Sequence, residues 1–452
     1  MENNWNEELL TFIENSPSAF HAVEALRNIF LEKGFQELFE HEKWKLRGGE
    51  DYFVCRNQSS LIAFRLPVQK PEGFQVIASH SDSPSFKIKE EPEILVEGNY
   101  TKLNVERYGG MLCAPWFDRP LSAAGRVVVR EGNRVRSCLI NLDRDLLLIP
   151  NLAIHMNREA NEGYRYNAQK DMLPLFGGEK AKDQFRKLVA GALQTDEDRI
   201  LGMDLFLYNR QKGSIWGAGR EFISAPRLDD LQCAFGGAMG LVNSEPGRNA
   251  AVFALFDNEE VGSATRQGAA STFLRDILER IAEEYQAASP EDFSVLLENS
   301  FLISADNAHA VHPNHPEESD PKCRPYLNQG IVLKFNADQK YTTDGVSAAL
   351  FRILCEKAGV PCQVFANRSD KKGGSTLGNL SGTRVPVRSV DVGLPQLSMH
   401  SPYETAGAMD TEYFIRMAQT FYAASLKMEG PESWALTFDA PESQAASTPA
   451  GL

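Results

Sequence analysis

AVFALFDNEEVGS, residues 251–263, runs six apolar residues without a break into Asp257-Asn258-Glu259-Glu260, then passes Gly262. An apolar run of this length, cut off by a polar loop, reads as a strand buried on both faces. The same form recurs in FQVIASHSDSP (74–84), where a largely apolar run stops at His80-Ser81-Asp82-Ser83-Pro84. FLISAD (301–306), IVLKF (331–335), QVFAN (363–367) and VRSVDVG (387–393) extend the series. Between these runs the spacing predicts helices over about 229–243, 271–286, 344–358 and 408–427; in the first, Leu231, Phe235 and Ala238 face inward. An earlier helix is expected from about Ser18 to Lys33, with Phe20, Val23, Leu26 and Phe30 at helical spacing and Gly34 closing it. Strands alternating with helices imply an α/β fold, a mostly parallel sheet covered on both faces.

Residues from about 90 to 226 differ in texture. Short β-like pieces such as GRVVVREGNRVRSCLI (125–140) alternate with Gly, Asn and Pro turns, and one helical stretch covers about 180–193. EGN (131–133) between two alternating runs reads as a hairpin turn. The expected organisation is therefore a discontinuous α/β/α domain from 1–90 and 228–432, interrupted by a mostly β domain over 91–227. A C-terminal tail follows over 433–452, whose end, APESQAASTPAGL (440–452), is low in complexity and expected to be disordered.

Composition narrows the function. The 452 residues are 42% hydrophobic and 24% charged, which is ordinary for a globular protein. With 47 basic against 61 acidic residues, the net charge of −14 argues against sequence-independent nucleic-acid binding. Seven cysteines form no CxxC pair, as expected for thiols in a reducing compartment. MENNWNEELL has neither a basic start nor an apolar stretch, and no run approaches the ~18 apolar residues of a membrane span. A cytoplasmic protein with no membrane partner is expected.

Side chains able to bind metal fall at or just past the strand ends: His80 and Asp82, then Asp257, Glu259 and Glu260, then Asp306 and His400. In an open α/β sheet, ligands bind at those ends. His80 and Asp82 share one face if extended, which would let the carboxylate orient the imidazole. Glu259 and Glu260 cannot both address one metal from a regular element, which suits one ligand beside one proton carrier. Asp229 and Asp230 open a predicted helix, where capping alone could account for them. ADNAHAVHPNH (305–315) gathers His309, His312 and His315 behind Asp306. The set His80, Asp229, Glu260, Asp306 and His400 is two imidazoles and three carboxylates, the donors that two borderline metals sharing a bridging carboxylate would use. No GxSxG is present, and KKGGSTLGNLSG (371–382) has neither a Walker lysine nor a GxGxxG spacing.

VIASHSDSPSFKIK (76–89), YGGMLCAPWFDRPLSAAGRV (108–127), PRLDDL (226–231), FDNEEVGSATRQGA (256–269), ADNAHAVHPN (305–314) and VGLPQLSMHS (392–401) together resemble the aspartyl-aminopeptidase family. These are dinuclear zinc exopeptidases that include the vacuolar aminopeptidase I group, and the likeness spans nearly the whole chain. It implies an α/β/α zinc-exopeptidase domain whose β insertion dimerises and helps to build a homo-oligomer, a dodecamer made from dimers. It implies two zinc ions per subunit, with cobalt or manganese as alternatives. His80 and Asp306 would hold one ion, Glu260 and His400 the other, with Asp229 between them. Glu259 matches the general acid/base and Asp82 the carboxylate beside the first histidine. His155, in NLAIHMNR (151–158), then His309, Lys334 and Tyr341 match positions that contact the peptide substrate, His155 in a neighbouring subunit's site. The implied reaction is release of an N-terminal residue, Asp or Glu in preference to neutral ones because of Lys334.

Three departures from the family pattern stand out: Asp230 where Asn is common, Ser401-Pro402-Tyr403-Glu404 after the last histidine, and the basic segment NRSDKKGG (367–374). The competing readings are a peptidase of other specificity, for neutral N-terminal residues or for C-termini, and a metal-binding scaffold without catalysis.

Overall fold

Along the strand Phe74–His80, Ile77 packs into one hydrophobic core while Val76 and Ala78 pack into another. The strand Ala250–Phe256 splits the same way, Phe253 and Leu255 against Val252, Ala254 and Phe256. Successive strand side chains point to opposite faces, so a strand covered on both faces must be apolar throughout. The computed structural model describes residues 4–438; the 440–452 tail lies outside them.

Nine strands form the central sheet, in the order Gln36–Leu38, Asp51–Arg56, Ser60–Arg65, Ala250–Phe256, Phe74–His80, Phe301–Ala305, Arg388–Gly393, Ile331–Phe335 and Cys362–Ala366. The middle of the sheet is parallel: Phe74–His80 pairs in parallel with both Ala250–Phe256 and Phe301–Ala305. Ile331–Phe335 runs antiparallel to Arg388–Gly393. Helices Trp5–Glu14, Ala19–Glu32, Leu228–Val242, Gly345–Ala358 and Asp410–Ala423 contribute to one core, and Phe273–Glu284 with Pro290–Glu298 to the other. Among the described residues no helix is long and apolar enough to cross a membrane.

A second sheet of six strands is built between Ser85 and Asn209 around its own core, which includes Trp116, Val127, Phe185 and Leu205. Its hairpin Leu121–Glu131/Arg134–Asn141 turns at 132–133, as the EGN spacing predicts. A third sheet orders Ser214–Trp216, Phe222–Ala225, Glu404–Gly407, Pro395–Leu397 and Ala308–His309. It ties together the segments that flank Asp306 and His400.

Some local expectations need correction. The stretch expected as helix over 408–427 ends at Ala423, because Ala424 is extended and Ser425–Gly430 pairs with Ser433–Thr437. The helix expected over 180–193 is regular only over Phe185–Ala192. Trp5–Glu14 and Pro290–Glu298 are additional helices.

The entry to helix Ala19–Glu32 carries an acid-sensitive group. His21 sits with Nδ1 2.8 Å from Ser18 Oγ, and burial, aided by the Arg227 charge, pushes its pKa down to about 4. A folded pKa below the unfolded value stabilises above pH ~6.5, and that stability is lost as pH falls toward 4. Between pH 7 and 5 the wild type should lose about 2 kcal/mol more than His21→Gln. Urea titrations of both proteins at the two pH values check this, and parallel losses would contradict it.

Candidate metal centre

His80 closes its strand and is 1% exposed. Its Nδ1–H donates to the Asp82 carbonyl oxygen at 3.0 Å, which turns Nε2 toward Asp229 Oδ1, 3.5 Å away. His400 repeats the arrangement: Nδ1–H donates to the Gly110 carbonyl, and Nε2 lies 3.4 Å from both Asp229 Oδ2 and Glu260 Oε2. A backbone carbonyl on Nδ1 fixes the tautomer that leaves Nε2 free as a ligand.

Asp229 lies between the two imidazoles, one carboxylate oxygen near each. It does not cap a helix as the local sequence suggested. Asp229 (φ −80°, ψ 111°) and Asp230 (φ −114°, ψ 22°) are non-helical, so the regular helix begins after them. Asp306 follows Phe301–Ala305, and its N–H donates to the Val392 carbonyl at 3.1 Å. Gly393 permits that approach, because a Cβ there would sit 1.9 Å from the Asp306 carbonyl oxygen.

The side-chain donors of His80, Asp229, Asp230 and Asp306 lie within 4.8 Å of one another, as do those of Asp229, Glu260 and His400, and those of His80, Glu259 and Glu260. The five ligands expected from sequence therefore come together, with Asp230 and Glu259 beside them. Asp229 Oδ1, Asp230 Oδ1 and Glu260 Oε1 are buried with no hydrogen-bond donor. Buried carboxylate oxygens without donors are costly unless a cation answers them. The 3.4–3.5 Å between imidazole nitrogens and carboxylate oxygens is too long for a good hydrogen bond. It is close to the ~3.3 Å that separates two donors on one tetrahedral zinc. The residues present fit zinc.

Burial pushes the Glu259 carboxyl up to about 8. For His400 burial opposes the charged form, but the Asp229 carboxylate prevails and lifts the pKa to about 9. For Asp229 burial would raise the pKa, yet the His400 and His80 imidazoles hold it well below the usual carboxylate range.

Asp82 does more than sequence suggested. Its side chain lies 3.4 Å from His80 Nδ1, but it accepts the Tyr108 hydroxyl at 2.6 Å and the N–H groups of Glu259 and Glu260 at 3.1 and 3.2 Å. The carboxylate thus holds the turn that carries both glutamates, while the Asp82 carbonyl orients the histidine.

Glu404 is a second residue whose role was not legible. It is 1% exposed, and its two oxygens accept the N–H of His400 at 2.7 Å and of Asp229 at 3.0 Å. One side chain fastens the segments that carry Asp229 and His400, and nothing local in Ser401-Pro402-Tyr403-Glu404 signals it.

A cavity of about 170 Å³ opens over His80, Asp229, Glu259, Asp306 and His400 and is also lined by His309, Lys334, Tyr341 and Phe365. Lys334, 3% exposed, donates to the Asn307 carbonyl at 2.8 Å and lies 3.6 Å from Asp306 Oδ1. Three of the four expected substrate contacts therefore face one space. His155 does not line it; it is exposed on the turn at 154–156. His312 is half-buried and His315 exposed, their rings 5.2 Å apart, and neither lines the cavity. A larger cavity, about 320 Å³, lies against Asp82, Tyr108 and Glu404 and touches none of the five ligands.

Comparison with known proteins bears on this geometry. The family model of aminopeptidase I zinc metalloproteases (M18) matches residues 12–422. A probable M18 family aminopeptidase 2 from Clostridium acetobutylicum is 47% identical over 427 residues, covering 92% of this chain and 98% of that protein. Among solved structures, a chain of the cryo-EM structure of the Ape4 and Nbr1 complex superposes with a TM-score of 0.90 at 37% identity, covering 93% of this chain and 85% of its own. A chain of the S. cerevisiae mApe1 dodecamer gives 0.80 at 29% identity, covering 92% and 96%.

Proposed function

This chain belongs to the aminopeptidase I zinc metalloprotease family (M18), and on that premise we propose that it releases acidic residues, Asp or Glu, from peptide N-termini with two metal ions per subunit. The observation that carries the reading is the set of donor-less buried carboxylate oxygens facing two inward Nε2 atoms on one cavity. His80 and Asp306 would hold one ion, Glu260 and His400 the other, and Asp229 would bridge.

When bound, zinc supplies Lewis acidity that polarises the scissile carbonyl and acidifies water. The chain's own contribution is placement and proton transfer. Asp82 fixes the backbone of Glu259, whose carboxylate takes the water proton and returns it to the leaving amine, base first and acid second. Glu404 keeps the Asp229 and His400 segments at fixed spacing.

Lys334 supports the acidic preference, since it is the lysine on the cavity wall and an ammonium can meet a substrate carboxylate there. One observation favours a second reading, cleavage of neutral residues: Lys334 already lies 3.6 Å from Asp306. A panel of Asp-, Glu- and Leu-terminated substrates, assayed with added zinc, manganese and cobalt, separates the two. Faster turnover of the acidic substrates is expected. Equal or better turnover of the leucyl substrate would remove the acidic preference and leave the aminopeptidase standing.

The likeness to the mApe1 dodecamer supports a homo-oligomer of the same kind, built from dimers. All seven cysteines are free thiols, which supports a reducing, cytoplasmic setting.

A further inference from the structure

Asp230 takes no part in the scheme above, yet it is the residue that fits it least as a bystander. It is fully buried at 0% exposure. Its Oδ2 accepts the His80 backbone N–H at 3.1 Å, and its Oδ1 has no donor. That carboxylate also offers an oxygen within 4.8 Å of the donors of His80, Asp229 and Asp306, the group on one half of the centre.

Fastening the His80 N–H does not require a charge. An amide carbonyl in the same place would accept that hydrogen bond without burying an ion. The second oxygen is what the hydrogen bond leaves unexplained.

We propose that Asp230 is a carboxylate donor to the ion held by His80 and Asp306. That half of the centre then has one nitrogen and three oxygen donors, counting Asp229, whereas the Glu260–His400 half has one nitrogen and two oxygens. An additional carboxylate makes a site harder and raises its relative liking for manganese over zinc. The two halves therefore differ in metal preference, and Asp230 sets the difference. The inference rests on the two-ion reading given above.

The test is calorimetric titration of metal-free wild type and Asp230→Asn with zinc and, separately, with manganese, alongside the melting temperature of both metal-free proteins. Asn keeps the shape and retains an oxygen for the His80 N–H. The wild type should take two ions per chain. In the variant one of the two sites should weaken by more than about 100-fold, beyond the 10–100-fold typical of losing a group that only orients a ligand. The loss should be larger for manganese than for zinc. The metal-free variant should melt at the same temperature or higher, because a negative charge has left a crowded buried cluster. Losses of 100-fold or less would overturn the inference, since a partner that only orients a ligand accounts for them. So would weaker binding accompanied by a lower metal-free melting temperature, which would mean that Asp230 only supports the His80 strand. Fewer than two ions in the wild type itself would overturn the two-ion reading and this inference together, and the wild-type stoichiometry tells that failure apart from the others.

Discussion

Glu259→Gln is expected to retain the full metal content of the wild type and to lose at least ~10²-fold in kcat, the scale of general acid–base catalysis. That loss is about 3 kcal/mol in the barrier, with larger values within reach if the proton has no other route. The substitution is nearly isosteric and leaves the Glu259 N–H on Asp82 untouched, so the turn should hold. What it removes is a carboxylate able to accept the water proton. The competing assignment is that Glu259 is a ligand, since its carboxylate groups with His80 and Glu260. Elemental analysis separates the two. Zinc lost in proportion to activity would make Glu259 a ligand and transfer the acid/base role elsewhere. Intact zinc with KM little changed would identify an interaction made in the transition state rather than in substrate binding.

His155→Ala should be nearly as damaging although His155 lies outside its own subunit's cavity. It is flanked by the exposed apolar side chains Leu152, Ile154 and Met156. Clustered exposed apolar residues mark an interaction face. If that face forms a twofold contact, each subunit lends its His155 to the other, since an isologous interface exchanges the same residue both ways. Mixing a His155→Ala subunit with a Glu259→Gln subunit then yields dimers in which one site has both residues intact. Random pairing makes half the dimers mixed with one working site in two, so about a quarter of wild-type activity should return. Each homo-oligomer alone should stay nearly inactive. Verified mixed assemblies that recover no activity would mean that His155 serves its own subunit or no site at all.

Much of the catalytic sheet was legible because its signal is local. A strand packed on both faces must be apolar at every step, so Phe74–His80, Ala250–Phe256, Phe301–Ala305 and Ile331–Phe335 stand out from their neighbours. Helices such as Ala19–Glu32 and Gly345–Ala358 show the 3.6-residue period of one inward face. His80, Glu260, Asp306 and His400 came into view because polar residues at or past strand ends break an apolar pattern, although a solvated loop would account for His80 or Glu260 taken alone. The ligand assignment of all five needed the family resemblance as well, Asp229 included, since helix capping would account for it equally well in isolation.

The tertiary structure decided everything that depends on partners far away in the chain. The strands of the third sheet are two to four residues long, too short to carry a period, and form because segments near 220, 308, 396 and 405 meet. The reversal of Ile331–Phe335 against Arg388–Gly393 leaves no mark on either strand's composition. Asp229 and Asp230 read as the first residues of a helix, but the Asp229 N–H is held by Glu404, 175 positions away, and the Asp230 side chain accepts the N–H of His80, 150 positions away. Glu404 and Asp82 hold backbone N–H groups, and every residue except proline has one. A donor that common gives the sequence no contrast to display. The sequence by itself determined which residues could bind metal and which strands would present them. Only the folded chain decided how those residues are held, because their holding rests on long-range hydrogen bonds to main chain rather than on any pattern of side chains.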